Sequence, residues 1–358
     1  MLKILDRYII RKFLTTFFFM LGIIMILATV FDLADKLGEF LDNDATAYEI
    51  LFEYYLNFIL FYANMFSSMI IFVSVIWFTA KMAQDTEIIP IWNSGKPFGR
   101  FVRPYMIAAT ILMLISLWSN HFIIPGANKV RLQFEERYYR MNLSVSDYHA
   151  EFPGNEVVYF KTYTAETHLI YNLEVGKWDD DGKLISFIRA GTAECFPGSN
   201  KYILYDYYER IVGDTNDVIL GGPEKDTTFQ FTIDEMATRE NIAEAMNFFE
   251  LREFIERERQ KGNSMVPMYE VELHQRSSYP FATYVLTIIG IAVASRKKRG
   301  GVGINIAIGL GIIFIYIFAM KVTTVSALNL GFPASIAVWI PNVLFGVVAY
   351  FLYKNAKR

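Results

Sequence analysis

TEIIPIWNSGKPFGRFVRP, residues 86–104, decides how the chain is read. It places Glu87, Asn93, Lys96, Arg100 and Arg103 between two long apolar runs. Tyr54 to Ala80, before it, contains no Asp, Glu, Lys or Arg. Pro104 to Asn120, after it, contains none either, and His121-Phe122-Ile123-Ile124 extends that run towards an interface. A helix needs about 20 apolar residues to cross the hydrocarbon of a bilayer. The stretch therefore reads as a short polar connector between two membrane spans.

Four further runs satisfy the same length rule: Phe13 to Phe31, Ser277 to Ser295, Gly300 to Met320 and Ala334 to Tyr353. The LNLGFP stretch, residues 328–333, separates the last two, because Gly331 and Pro333 make a break. The composition agrees: of 358 residues, 53% are hydrophobic and 20% charged, too apolar for an ordinary soluble enzyme. Mean hydropathy is +0.27. A net charge of −3 gives no reason to expect a nucleic-acid partner. Cys195 is the only cysteine, so no intramolecular disulfide can form. The opening MLKILDRYIIRKF has basic residues ahead of an apolar run, as a signal peptide has, but no small-x-small site follows. It reads as a retained first helix.

Basic residues near span ends mark the cytoplasmic side. Lys3, Arg7, Arg11 and Lys12 precede span one, and Lys81, Lys96, Arg100 and Arg103 lie between spans two and three. Arg296, Lys297, Lys298 and Arg299 lie between spans four and five, and Lys354, Lys357 and Arg358 follow span six. The loop after span one has Lys36 among Asp32, Asp35, Glu39, Asp42, Asp44, Glu49 and Glu53. Both termini are expected in the cytoplasm, with the long insert after span three on the opposite side.

Within that insert, residues 125–140 read as helix or linker. EVVYFKTYT, THLIYNLEV, KLISFIRAGTAEC and KYILYDYYERIV then mix β-branched and aromatic residues in strand-like segments, and DVILGG and TTFQFTI look like two more strands. The expected fold is α-helical membrane protein with six transmembrane helices and, between helices 3 and 4, an inserted periplasmic all-β domain of sandwich or jelly-roll type. Its aromatic residues fit strand packing, or an apolar groove for acyl chains or another β domain. Residues 240–261 read as a helix with Ile242, Ala245, Met246, Phe249 and Ile255 on its apolar stripe, ended by GNS at 262–264. The expected domains are 1–124, with a coupling loop at 81–103, then 125–272 and 273–358.

Motifs for intrinsic chemistry are absent from the sequence. WNSGKPFG lacks the glycine spacing and hydroxyl of a phosphate loop, and neither HExxH nor GxSxG occurs. His121, His149, His168 and His274 are too far apart for a local metal motif. The spans have no row of central carboxylates of the kind ion-coupled carriers use. Neither a cofactor nor a metal is expected, and a pump of this kind would take its energy from a partner.

Three spans, a large β insert and three more spans resemble the LptF/LptG (YjgP/YjgQ) family of lipopolysaccharide export permeases. The opening LDRYIIRKFLTTF, the connector Glu87…Asn93-Ser94-Gly95…Pro104, and the run Glu272 to Pro280 are similar to that family's pattern. So are the SRKKRGG turn and Gly331…Pro333…Trp339-Ile340-Pro341-Asn342. The resemblance implies a permease subunit of an ABC transporter in the Gram-negative inner membrane. It has no ATPase site of its own. The implied partners are a dimeric LptB-like cytoplasmic ATPase, a paralogous six-span permease, LptC-like and LptA-like bridge proteins, and lipopolysaccharide. The first and fifth helices would line a lateral opening.

On that reading residues 84–96 form a short helix docked on the ATPase. Glu87 pairs with a basic residue there, Ile88, Ile89, Ile91 and Trp92 give apolar contact, and Gly95 ends the helix where positive φ costs little. Pro90 is awkward inside a helix and marks a kink or a start. Lys36, Arg276 and Lys321 are candidates for substrate headgroup contact, with snorkelling or local pairing as the alternative. Gly303, Ala307 and Gly311 in GVGINIAIGLG fit either a gate between close helices or ordinary membrane packing.

Overall fold

The computed structural model describes residues 3–93, 95, 97–138, 144–152, 154–164, 167–179, 181–196, 198–213, 216–236, 242–296 and 301–356. The chain divides into two compact units, one of residues 1–131 with 270–358 and one of residues 132–269.

The first unit is helical. Its elements are α1 (Ile4–Asp42), α2 (Leu56–Met65), α3 (Ser67–Gln84), α4 (Ile88–Asn93) and α5 (Phe98–Trp118). A π-helical turn, Ser119–Ile123, joins α5 to α6 (Ile124–Tyr138), which runs into the second unit. After the insert come α9 (Val266–Ala294), α10 (Gly301–Asn329), α11 (Ala334–Ala337) and α12 (Ile340–Ala356). Among the described residues, six helical stretches are long and apolar enough to cross a membrane: 4–42, 67–84, 98–138, 266–294, 301–329 and 334–356.

The second span differs from the single run expected over Tyr54 to Ala80. A π-helical turn, Glu49–Tyr55, leads into α2, and the helix is interrupted at Phe66, where φ is −88° and ψ −1°. Polar side chains mark the irregular part: Asn57 Nδ2 bonds the Glu53 carbonyl at 2.8 Å. Gly331, at φ +65°, makes the break between α10 and α11 as the LNLGFP stretch predicts. Trp339 separates α11 from α12, and Asn342 at the start of α12 knits three spans together. Its Nδ2 donates to the Ser278 carbonyl and Oγ, both at 2.9 Å, and its Oδ1 accepts from Tyr316 at 2.9 Å. In an apolar medium such groups have no water to turn to, so they are satisfied within the protein, the Ser278 hydroxyl donating in turn to the Val338 carbonyl at 2.6 Å.

The second unit holds one antiparallel sheet of six described strands, β1 (Ser144–Phe152), β2 (Glu156–Thr164), β3 (Leu169–Trp178), β4 (Leu184–Cys195), β5 (Lys201–Ile211) and β6 (Val218–Thr228). They lie in the sheet in chain order, so the topology that the turns left open is a meander. β1 stands where no strand was read. TTFQFTI is not a separate strand: Thr227 and Thr228 complete β6, and Phe229 and Phe231 fold onto the sheet's apolar face with Ile233 and Met236 of α7 (Ile233–Met236). Alternating apolar residues cover a core here rather than pair in a ladder.

The helix read over 240–261 is shorter. A 3₁₀ turn, Ile242–Ala245, precedes α8 (Phe248–Gln260), whose N-cap is Asn247. Asn247 Oδ1 accepts from the backbone N–H groups of Phe249 and Glu250 at 3.0 and 3.1 Å, and Glu250 returns a bond to the Asn247 N–H at 2.9 Å. That capping box sets the helical phase. It turns Phe249 outward, 70% exposed, and buries Leu251, Phe254 and Ile255.

Candidate functional site: the connector between α3 and α5

The connector is a built structure. α3 ends at Gln84, and Thr86 takes a left-handed conformation with φ +62°. The chain then turns back, so that the Glu87 N–H reaches the Met82 carbonyl at 2.9 Å. α4 starts two residues before Pro90. That places the proline in the first turn, where its missing N–H removes no intrahelical bond. Gly95 has φ +69° just beyond α4, and Pro97 caps α5 in extended conformation. The Trp92 side chain, Ser94 and Lys96 lie outside the described residues, as do residues 297–300 of the SRKKRGG turn.

Two side-chain ties bind this connector to the start of α1, remote in sequence. Asp6 in the first turn of α1 accepts both arms of Arg100 in the first turn of α5, at 2.6 and 2.7 Å. The Lys3 backbone N–H donates to the same carboxylate at 2.9 Å. Asp6 is 2% exposed. An acid suits a helix N-terminus and a cation does not, so Asp6 supplies the counter-charge that Arg100 needs there. A forked guanidinium on a carboxylate also fixes direction, because two parallel bonds allow little rotation.

The second tie is at Glu87. Its Oε2 accepts the Tyr8 hydroxyl at 2.9 Å and Lys12 Nζ at 3.3 Å, and Lys12 also donates to the Tyr8 oxygen at 2.8 Å. Tyr8 and Lys12 are one helical turn apart, so both reach the same acceptor. Between the ties lies a packed core. Ile9 and Phe13 of α1, Phe78 and Met82 of α3, Ile88, and Phe98, Phe101 and Tyr105 of α5 belong to one buried cluster. Phe78 stacks on Tyr105 at 5.2 Å.

This arrangement sorts the residues singled out in the connector. Ile88 is 1% exposed and anchors the segment inward, so it presents no surface to a second protein. Ile89 is 45% exposed and Ile91 is partly buried against the cluster. Glu87, read as the partner of a basic residue on another protein, already has Tyr8 and Lys12 within the chain. The roles of Asp6, Tyr8 and Lys12 were missed. The available signal was one acid, Asp6, among Lys3, Arg7, Arg11 and Lys12.

The other candidate residues are held in different ways. Lys36 pairs with Asp32 at 2.6 Å and donates to the Tyr54 hydroxyl. Arg276, 5% exposed, pairs with Glu272 at 2.8 Å, one turn earlier in α9. Lys321 is exposed on α10 and has no ion pair among the described residues. Gly303, Ala307 and Gly311 share the exposed face of α10, and a Cβ at either glycine would meet nothing within 4 Å. The close approach of α10 to α3 is made instead by Gly309, whose Cβ would overlap the tip of Ile76. No group of three potential metal-ligating side chains occurs among the described residues.

Six membrane-length helices among the described residues, an antiparallel β insert after the third, and a tied connector between the second and third define a multi-pass membrane protein. The chain belongs to the LptF/LptG family: the family described as lipopolysaccharide export system permease LptF/LptG matches residues 7–355. The match takes in both units, and the general function of the family is lipopolysaccharide export. No curated protein matches the chain.

Proposed function

We propose that this chain is one of two permease subunits of an ABC transporter that lifts lipopolysaccharide out of the Gram-negative inner membrane. An LptB-like ATPase dimer docks on residues 85–97 from the cytoplasm and supplies the energy. The β unit stands in the periplasm and passes lipid to LptC-like and LptA-like bridge domains. The excess of basic residues in the connector and at both ends of the chain supports this orientation. β1 and β6 are the edges of the sheet, and Val218, Ile219 and Leu220 of β6 are exposed, which suits strand addition by a neighbouring β domain.

The observation that carries the reading is the connector itself. A surface turn needs neither a forked ion pair on a buried carboxylate nor an aromatic core beneath it. Both suit an element that receives a push, because motion passes through rigid parts. Ile89, Ile91 and Trp92 supply the apolar contact, and Glu87 keeps enough exposure to reach a cation on the ATPase. Lys36, Arg276 and Lys321 are the proposed headgroup contacts, with Lys36 and Arg276 exchanging their present partners for lipid phosphate. Gly303, Ala307 and Gly311 leave a smooth face on α10 for a gate with the second permease.

The test is a pull-down of the detergent-solubilised protein, wild type against Glu87→Arg, with mass spectrometry of what is bound. The reading predicts an ABC ATPase and a second six-span permease with wild type, and loss of the ATPase alone with the variant. Absence of any ATPase from the wild-type sample under gentle conditions would remove the energy source and sink the proposal.

A further inference from the structure

We infer that α1 is a lever driven from the connector, and that Asp6 and Arg100 are the positioning residues that join the two. The inference rests on the proposed docking of an ATPase at residues 85–97. The connector is covalently continuous with α3 and α5, so a push on it reaches spans two and three through the backbone. Its backbone reaches α1 only by way of α3, α2 and the turn that follows α1. Arg100 and Asp6 are 94 positions apart in sequence, and Glu87 and Lys12 are 75 apart. α1 also packs on α3 and α5 farther along its length, and Lys36 bonds Tyr54 ahead of α2, while these ties and the core between them join the start of α1 to the connector directly.

The geometry suits transmission. Asp6 is held from three directions, by its own helix through the Lys3 N–H and by both arms of Arg100. The Tyr8 and Lys12 bonds to Glu87 attach the next turn of α1 to the opposite end of the connector. Two attachments on either side of α4 resist rotation as well as translation. α1 is one helix of 39 residues. From Asp6 to Lys36 it spans about 45 Å at 1.5 Å per residue, enough to run from one face of a bilayer past the other. Lys36 and its Asp32 pair therefore sit at the far end of the element that the connector grips. A stroke delivered to residues 85–97 displaces the proposed headgroup contact without any side-chain relay through the membrane.

The experiment uses the assembled complex of ATPase and both permeases in proteoliposomes, reading ATP hydrolysis and lipopolysaccharide release together. The variants are Asp6→Asn, Arg100→Gln, the double variant, and Tyr8→Phe. The lever predicts that Asp6→Asn and Arg100→Gln still bind the ATPase and hydrolyse ATP. Lipid released per ATP falls about tenfold, a common size for coupling between sites. The double variant should be no worse than either single one, because both remove the same tie. Tyr8→Phe deletes one hydroxyl, leaves folding intact, and should lower release per ATP by a smaller factor.

Release per ATP unchanged in all variants overturns the inference. So does a parallel fall in hydrolysis and release, which is what a tie that only shapes the docking surface would give. Failure of the docking reading shows separately, as a wild-type complex that never captures the ATPase.

Discussion

Gly309 of α10 lies against the tip of Ile76 of α3, with no room for a side chain between them: a Cβ at that glycine would overlap the Ile76 Cδ1 atom. Phe72 is the next neighbour, at 3.7 Å. The contact identifies which of the small residues in GVGINIAIGLG joins two spans of this chain. Gly309→Leu should cost about 1–3 kcal/mol through overpacking, while Gly309→Ala costs less because the end of Ile76 can move. Gly303→Ala and Gly311→Ala meet no neighbour and should leave stability unharmed or raise it by up to about 1 kcal/mol through helix propensity. Thermal melting of the solubilised protein distinguishes the three sites.

The same glycines give a functional prediction. Bulky residues at Gly303 and Gly311 should leave the chain folded and still able to bind its partners, yet reduce lipid export, if the exposed face of α10 meets a second permease. Melting temperature and export measured on Gly303→Leu separate this from packing inside the chain. Equal losses of both would place the stripe in ordinary packing.

Asn342, Ser278 and Tyr316 form a chain of hydrogen bonds among α9, α10 and α12, and the Ser278 hydroxyl donates on to the Val338 carbonyl at 2.6 Å. Replacing Asn342 by Leu leaves the Tyr316 hydroxyl without its acceptor and Ser278 without its amide. The expected cost is about 1–3 kcal/mol. Tyr316→Phe removes only one of these bonds and should cost about 0.6 kcal/mol, near the average for membrane hydrogen bonds. Chemical denaturation in mixed micelles would rank the two variants, and the opposite order would contradict the network.

Lys36 makes its ion pair with Asp32 one turn away. A lipid phosphate that binds Lys36 must therefore compete with Asp32. Asp32→Asn should raise lipopolysaccharide capture by a photo-crosslinker placed nearby, and Lys36→Gln should lower it. Effects in the same direction would show that the pair holds the helix end and does not meet the headgroup.

How much of this was readable in advance follows from where each signal lives. Spans were legible because absence of charge over a long run is a one-dimensional property, seen in Phe13 to Phe31 and in Pro104 to Asn120. Strands β2 and β5 were legible to within a residue because β-branched and aromatic residues cluster there. TTFQFTI misled because Phe229 and Phe231 alternate for core coverage, a pattern identical to that of a strand. Within the connector, Gly95 was readable from its chemistry, whereas the orientations of Ile88 and Ile89 were not, since Thr86 and Pro90 reset the helical phase. For the Asp6–Arg100 tie the sequence offers one acid among the basic residues before span one but not its partner, because the tie joins two helix starts that only the folded chain brings together.

The central claim is that residues 85–97 present one face to an ATPase and the other to α1. A photo-reactive amino acid placed at Ile89, and separately at Ile88, tests it most directly in intact cells. The account predicts a crosslink to a cytoplasmic ABC ATPase from position 89, and none from the buried position 88. Capture of the ATPase from position 88 with none from 89, or from neither, would contradict it.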